Sequence, residues 1–277
     1  MDAAAHVAEL VRTADPDRYL ATLYAPEDRR RGLFALYGFN AEISSVRDRV
    51  REPMAGEIRL QWWRDAIAAA AEQPTGNPVA DELCAAMVRH QLPRKAFDDM
   101  LSARIFDLYD DPMPDRATLE GYCGETASAL IQLASLVLDP AAAPRRAEVA
   151  GHAGCAVALT GMLRMLPIHR SRGQCHVPRD LLAAAGLTAE EFVSAEAGEG
   201  HRRAVAAMTA LASEHYETFR RGARDLTPSL RPAYLPLALV PRYLARIARA
   251  DPMTEIVGIS ALGRHGAIFR RALAGWG

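Results

Sequence analysis

The sequence has no excess of charge of either sign: 33 Lys and Arg stand against 34 Asp and Glu, a net charge of −1 at pH 7 and a pI near 6.7. A chain so balanced carries no broad positive field, so nucleic-acid binding is not expected and contact with an anionic membrane would need a local patch. Cysteines are few and scattered. Cys84, Cys123, Cys155 and Cys175 lie 39, 32 and 20 residues apart without a C-x-x-C pair, which excludes a disulfide-dense module and reads as reduced, mostly buried thiols of a cytoplasmic protein. Long apolar runs are missing as well. The longest mid-chain stretch free of Asp, Glu, Lys and Arg, Val149 to Leu163, falls short of the roughly 18 apolar residues a membrane span needs, and it contains His152. Asp2 and Glu9 stand where a secretory leader needs a basic start and an apolar run, so the first residues are expected to belong to a mature, cytoplasmic chain.

Strand-type alternation of β-branched residues is also lacking. What remains between Pro and Gly is rich in Ala and Leu at helical period, so the expected class is all-α. The expected helices are 4–13, 27–51, 57–72, 78–91, 93–108, 115–138, 144–166, 178–185, 188–197, 200–225, 230–249 and 254–273. No period of 20 to 50 residues recurs, which argues against a solenoid. The candidate linkers, 72–78, 110–115 and 139–144, are too short to separate domains, so residues 1–277 are read as one helical domain.

Two helices carry most of the information. Within 33–50, Leu36, Phe39, Ile43, Val46 and Val50 make a core stripe, while Tyr37, Ala41, Ser44 and Asp48 form a second stripe nearly opposite that could border a cavity or simply face water. Within 144–169 the segment VAGHAGCAVALTGMLRMLPIH is apolar nearly all round and should be buried, yet it contains Arg164. A buried guanidinium must meet a carboxylate, for which Asp48 is a candidate, or face a cavity holding an anion. Pro167 should kink or end this helix.

Taken in order, ALYGFN opening the first long helix, Tyr122-Cys123, LTGMLR inside the buried helix and GQCHVPRDLL after it resemble the squalene/phytoene synthase family across essentially the whole chain. The resemblance implies an all-α isoprenoid synthase fold, with helices around a central cavity that holds prenyl diphosphates through Mg²⁺. Ionising an allylic diphosphate needs divalent metal to take up the developing charge, and Mg²⁺ needs hard oxygen ligands such as paired aspartates. Alignment with the family's two aspartate-rich motifs puts Ser44 and Ser45 at the leading positions of the first, leaving only Asp48 acidic, and Met165 and His169 at the aspartates of the second. Gln174 replaces the usual Arg. A thioether and an imidazole are poor Mg²⁺ ligands.

The branch resembled most is not that of the synthases themselves. FN-x-E at Phe39 to Glu42, E-x-x-x-G-x-x-R-x-Q-W-W at Glu52 to Trp63, and P-x-H-x-S-R at Pro167 to Arg172 resemble the branch of the sixth mitochondrial complex I assembly factor and its bacterial relatives. That implies a retained fold, lost prenyl transfer, no catalytic or metal residues, and a role in building respiratory NADH:quinone oxidoreductase on the inner face of the cytoplasmic membrane. The partner would be a complex I subunit or assembly intermediate. Tyr37, Ala41, Ser44, Ser45, Asp48, Arg164, Met165, His169 and Arg172 would then line a cavity for a prenyl lipid or a quinone. The alternative is a working prenyl transferase whose Mg²⁺ site is rebuilt from Asp48 with Asp107 or Asp111.

Other clusters have plainer readings. Asp107, Asp110, Asp111 and Asp115 sit at a Pro-rich turn, where Asp115 should cap the next helix. One of Trp62 and Trp63 should pack in the core, leaving the other for a partner surface. His152, His169, His176 and Cys175 do not have zinc spacing. Arg170, Arg172 and Arg179 form a local basic patch. The C-terminal segment, with Ile256, Ile259, Leu262, Ile268, Phe269 and Leu273 set against Arg264, Arg270 and Arg271, either closes the bundle or rests on a membrane.

Overall fold

Ala- and Leu-rich segments punctuated by Pro and Gly form helices along the whole chain, and no strand occurs among the described residues, 2–69 and 74–276 of a computed structural model. In order, the helices are α1 (Ala3–Ala14), α2 (Pro16–Thr22), α3 (Glu27–Ser44), α4 (Val46–Arg49), α5 (Pro53–Ala69), α6 (Pro78–His90), α7 (Arg94–Ile105), α8 (Arg116–Cys123), α9 (Ala129–Leu138), α10 (Ala147–Arg164), α11 (Leu166–Ser171), α12 (Arg179–Ala184), α13 (Ala189–Ser194), α14 (Glu199–Gly222), α15 (Arg231–Tyr234), α16 (Val240–Ile247) and α17 (Ala261–Ala274). The all-α expectation holds.

The apolar α10 packs along α14 and also touches α8, α9 and α16. Its Ala150, Ala153, Ala156, Leu159 and Leu163 are buried, as a helix without a polar face requires. On the other side α3 packs on α1, α6 and α9, and Phe39 meets the ring edges of Trp63 and Phe97 at 5.1 and 5.5 Å. The expected core stripe Leu36, Phe39, Ile43, Val46 is buried, with Val50 packed against it.

Several expected helices are interrupted, each for a physical reason. The stretch 27–51 breaks at Ser45, where the hydroxyls of Ser44 and Ser45 bond back to the carbonyls of Ala41 and Glu42 and compete with the helix ladder. The stretch 115–138 widens into one π-type turn over Gly124–Ser128. There α10 comes so near that a Cβ on Gly154 would lie 2.3 Å from the Ser128 nitrogen, and the Ser128 hydroxyl donates to the Gly151 carbonyl at 2.8 Å. Pro232, Pro236 and Pro241 divide 230–249 into short pieces. The last helix starts at Ala261 rather than 254, capped by Ser260.

The helix expected over 57–72 starts earlier, at Pro53; its last residues and the first of the 72–78 linker lie outside the described residues. Missed altogether was α2, which Asp15 caps and Pro16 starts. Pro167 behaves as expected: α10 ends at Arg164, and Pro167 stands in the first turn of α11.

Candidate functional site

A cavity of about 440 Å³ lies between α2, α3, α4, α7, α8, α10 and α11. A second, of about 320 Å³, shares Asp15, Arg18, Val157, Gly161 and Met165 with it and extends toward α16 and α17. Of the residues singled out from the sequence, Ser44, Asp48, Met165, His169, Arg172 and Asp107 line the larger cavity, and Arg164 and Met165 the smaller. Tyr37 is buried in the core with Arg18 over its ring at 5.7 Å, and burial pushes its hydroxyl well up. Ala41 and Ser45 are half-buried outside both linings, and Asp111 is on the surface, paired with Arg179 at 3.4 Å.

The anticipated pairing of Arg164 with Asp48 does not form. Arg164 instead lies 3.6 Å from the centre of the Tyr243 ring and donates to the Val257 carbonyl at 3.1 Å, so its charge is met by a π face and a backbone dipole. Asp48 pairs with Arg172, on the strand of chain that follows α11.

Each carboxylate that lines the larger cavity already has an arginine. Asp15 holds Arg18 at 2.5 Å, Asp48 holds Arg172, and Asp107 holds Arg104 at 2.9 Å. Tyr122 completes the last pair, accepting from Arg104 and donating to Asp107, both at 2.7 Å. Burial and the adjoining Asp107 both raise the Tyr122 pKa, against the pull of Arg104, so the phenol stays protonated and donates. Arg47, the remaining arginine of the wall, bonds Asp110 at 3.1 Å. Charge in the wall is therefore balanced locally.

His169 and His176 pack edge to face with ring centres 4.4 Å apart, and the Nδ1 of each is buried without a partner. Burial, His176 and Arg172 push the His169 pKa down to about 3, and burial lowers that of His176, so both rings are neutral near pH 7. Cys175 is turned away, with its thiol toward the Val177 carbonyl.

The donor set does not fit a magnesium cluster. Ser44 and Ser45 spend their hydroxyls on the backbone, Met165 and His169 offer soft or neutral donors, and Asp48 and Asp107 are held by arginines. Among the described residues no group of three His, Cys, Asp or Glu side chains is placed to hold a metal.

The remaining clusters resolve into separate roles. Asp115 caps α8 through the Thr118 N–H, as expected. Arg170 bonds the Phe192 and Ala195 carbonyls, so the basic patch of 170, 172 and 179 is three unrelated contacts. Trp63 is the core tryptophan and Trp62 is exposed. His152 meets His215 at 3.0 Å rather than His169, and His215 in turn meets Glu120 at 3.0 Å beside Cys155. Sequence reasoning missed Asp15, Arg18 and Arg104. The signal for Arg104 was weak, an arginine between Leu101 and Ile105 on a helix that also bears Arg94, Lys95, Asp98 and Asp99.

A family model described as squalene/phytoene synthase matches residues 11–262 of this chain. Complex I assembly factor 6 of Mus musculus is 30% identical over 244 residues, covering 88% of this chain and 73% of that one. A presqualene diphosphate synthase of Rhodopseudomonas palustris is 31% identical over 174 residues, 62% of each chain. Among solved structures, a dehydrosqualene synthase in complex with ligand superposes with a TM-score of 0.81 at 17% identity, covering 97% of this chain and 94% of its own. Squalene synthase HpnC from Alicyclobacillus acidocaldarius gives 0.76 at 19%, covering 91% and 95%. These two show the shared isoprenoid synthase fold.

Proposed function

The chain belongs to the squalene/phytoene synthase family, and we propose that within it this protein is an assembly factor for respiratory NADH:quinone oxidoreductase that does not ionise prenyl diphosphates. The likeness to complex I assembly factor 6 over most of both chains supports the assembly role. The single observation that carries the loss of chemistry is the pairing of Asp15, Asp48 and Asp107 with arginines in the cavity wall. Catalysis of this type depends on preorganised positive charge facing the departing pyrophosphate. Here the wall arginines are neutralised by the protein itself.

The same wall keeps an apolar side, formed by Ala127, Val157, Ala158, Met162, Met165 and Ile168. We assign this space to a prenyl or quinone-like lipid with an uncharged head. Such a ligand would couple the factor to the quinone-reducing part of the complex it helps to build.

The likeness to a presqualene diphosphate synthase favours a second reading, an active transferase with a rebuilt metal site. Two experiments separate them. In a strain lacking the gene, membranes should lose assembled NADH:quinone oxidoreductase on native gels, and both the wild-type gene and Asp48→Asn should restore it. Purified protein with farnesyl diphosphate and Mg²⁺ should release no pyrophosphate above background. Normal assembly in the deleted strain overturns the assembly role, and Mg²⁺-dependent release overturns the loss of chemistry.

A further inference from the structure

Helix α17 packs on α2 and on the turn before α16 through its buried Ala267 and Ile268, and the chain end is fixed by Trp276, whose ring meets Phe219 at 4.8 Å. Its other side is not covered. Leu262, Phe269 and Leu273 are 85%, 54% and 67% exposed, and with Gly266 they fall within about 60° of one another at 100° per residue. Ile256, 57% exposed, lies in the segment leading into the helix. Large apolar side chains on a soluble surface are usually scattered, so a row of this kind marks a contact.

Cations border the row. Arg242, Arg246 and Arg249 are exposed at i, i+4 and i+7 along α16 and the residues just after it. Two of them reach across toward the last helix: Arg242 donates to the Gly263 carbonyl at 3.0 Å and Arg246 to the Gly258 carbonyl at 2.6 Å. Arg270 stands on the exposed side of α17 itself. None of these four makes an ion pair among the described residues, and between Val240 and Gly277 the sequence places acids only at Asp251 and Glu255. A chain with a net charge of −1 thus concentrates unpaired arginine beside its exposed apolar row.

We propose that the α16–α17 face docks on an anionic lipid bilayer. Apolar side chains enter the boundary between headgroups and acyl chains, while arginines keep their stems along the apolar surface and their guanidinium groups among the phosphates. A second copy of this chain is a poor occupant because it would bring the same positive charge. The position also suits the cavity. Val240 and Tyr243 of α16 and Arg264 of α17 are walls of the smaller chamber, so docking sets that chamber beside the membrane.

The test is co-sedimentation of the full chain with unilamellar vesicles of phosphatidylcholine alone or with 30% phosphatidylglycerol, at low and high salt. Binding is expected to the anionic vesicles at least tenfold more strongly than to the neutral ones, and to weaken as salt rises. Leu262→Asp with Phe269→Asp should abolish it, and Arg249→Glu with Arg270→Glu should reduce it at least tenfold. All these side chains are exposed, and thermal unfolding should match the wild type. Val88→Asp, on the exposed side of α6, should bind normally. Equal binding to both vesicle types, unchanged binding by the paired variants, or attachment to an acidic protein surface without attachment to vesicles would each overturn the proposal.

Discussion

Arg104 and Asp107 meet at 2.9 Å in the cavity wall, and Tyr122 is bonded to both, so the three side chains satisfy one another. This set is the buried counterpart of the exposed Asp48–Arg172 pair. The two pairs should therefore answer differently to mutation.

Asp107→Ala leaves the largely buried Arg104 guanidinium without its counter-charge, though still bonded to Tyr122, and should cost about 2–3 kcal/mol of stability. Asp48→Ala opens a pair whose side chains are 44% and 45% exposed, and should cost under about 1 kcal/mol. Urea unfolding of the two variants checks the contrast. Equal effects would mean that the buried set is not the structural element described.

Stability should fall as the solution is acidified. His169 titrates near 3 in the folded protein because burial, His176 and Arg172 oppose its charge, whereas in the unfolded chain it titrates near 6.5. Between those values the unfolded state binds more protons, so the slope is up to about 1.4 kcal/mol per pH unit, and stability is lost as pH falls. His169→Leu should flatten that slope. His215 acts in the opposite sense. Burial alone would lower its pKa, but Cys155 and Glu120 raise it, so the stability it contributes is full below 6.5 and is lost as pH rises through its folded value.

Two glycines of α10 should respond with opposite signs. Gly154→Ala would drive a methyl against the Ser128 backbone, which cannot swing aside, and should destabilise by at least about 1–3 kcal/mol. Gly151→Ala meets nothing within 4 Å and should stabilise by about 0.5–1 kcal/mol through helix propensity. Thermal melts of both variants check the opposite signs.

Ligand preference should follow the charge balance of the wall. Farnesol or a short-chain quinone is expected to raise the melting temperature, while farnesyl diphosphate should bind at least tenfold more weakly, with or without Mg²⁺. A diphosphate that binds more tightly than its alcohol would show that the wall arginines can exchange their carboxylates for a ligand.

How much of this was legible in the sequence depends on the range of the interaction. The all-α class and the core stripe Leu36, Phe39, Ile43, Val46 follow from helical period, and the caps at Asp15, Asn77 and Asp115 are local signals of the same kind, although only the last was read. Of the residues the motif comparison picked out, Ser44, Asp48, Met165 and His169 line one cavity, whereas Tyr37, Ala41 and Ser45 do not. The break at Ser45 was a local signal read too weakly, since two consecutive serines can each turn a hydroxyl onto the backbone.

Charge pairing was beyond reach. A guanidinium is long and flexible enough to choose among several carboxylates, and the choice depends on which helices adjoin. The sequence offered Asp48 as a candidate partner for Arg164, yet the fold brought Asp48 to Arg172, and α16 gave Arg164 the Tyr243 ring. Sequence by itself determined that this chain forms helices, which faces they bury, and that serine, methionine and histidine stand at positions 44, 45, 165 and 169, because those facts rest on local period and on residue identity. Tertiary structure alone decided that Asp15, Asp48 and Asp107 are paired with arginines and that the arginines of α16 adjoin the bare apolar row of α17, because both depend on side chains brought together by the fold.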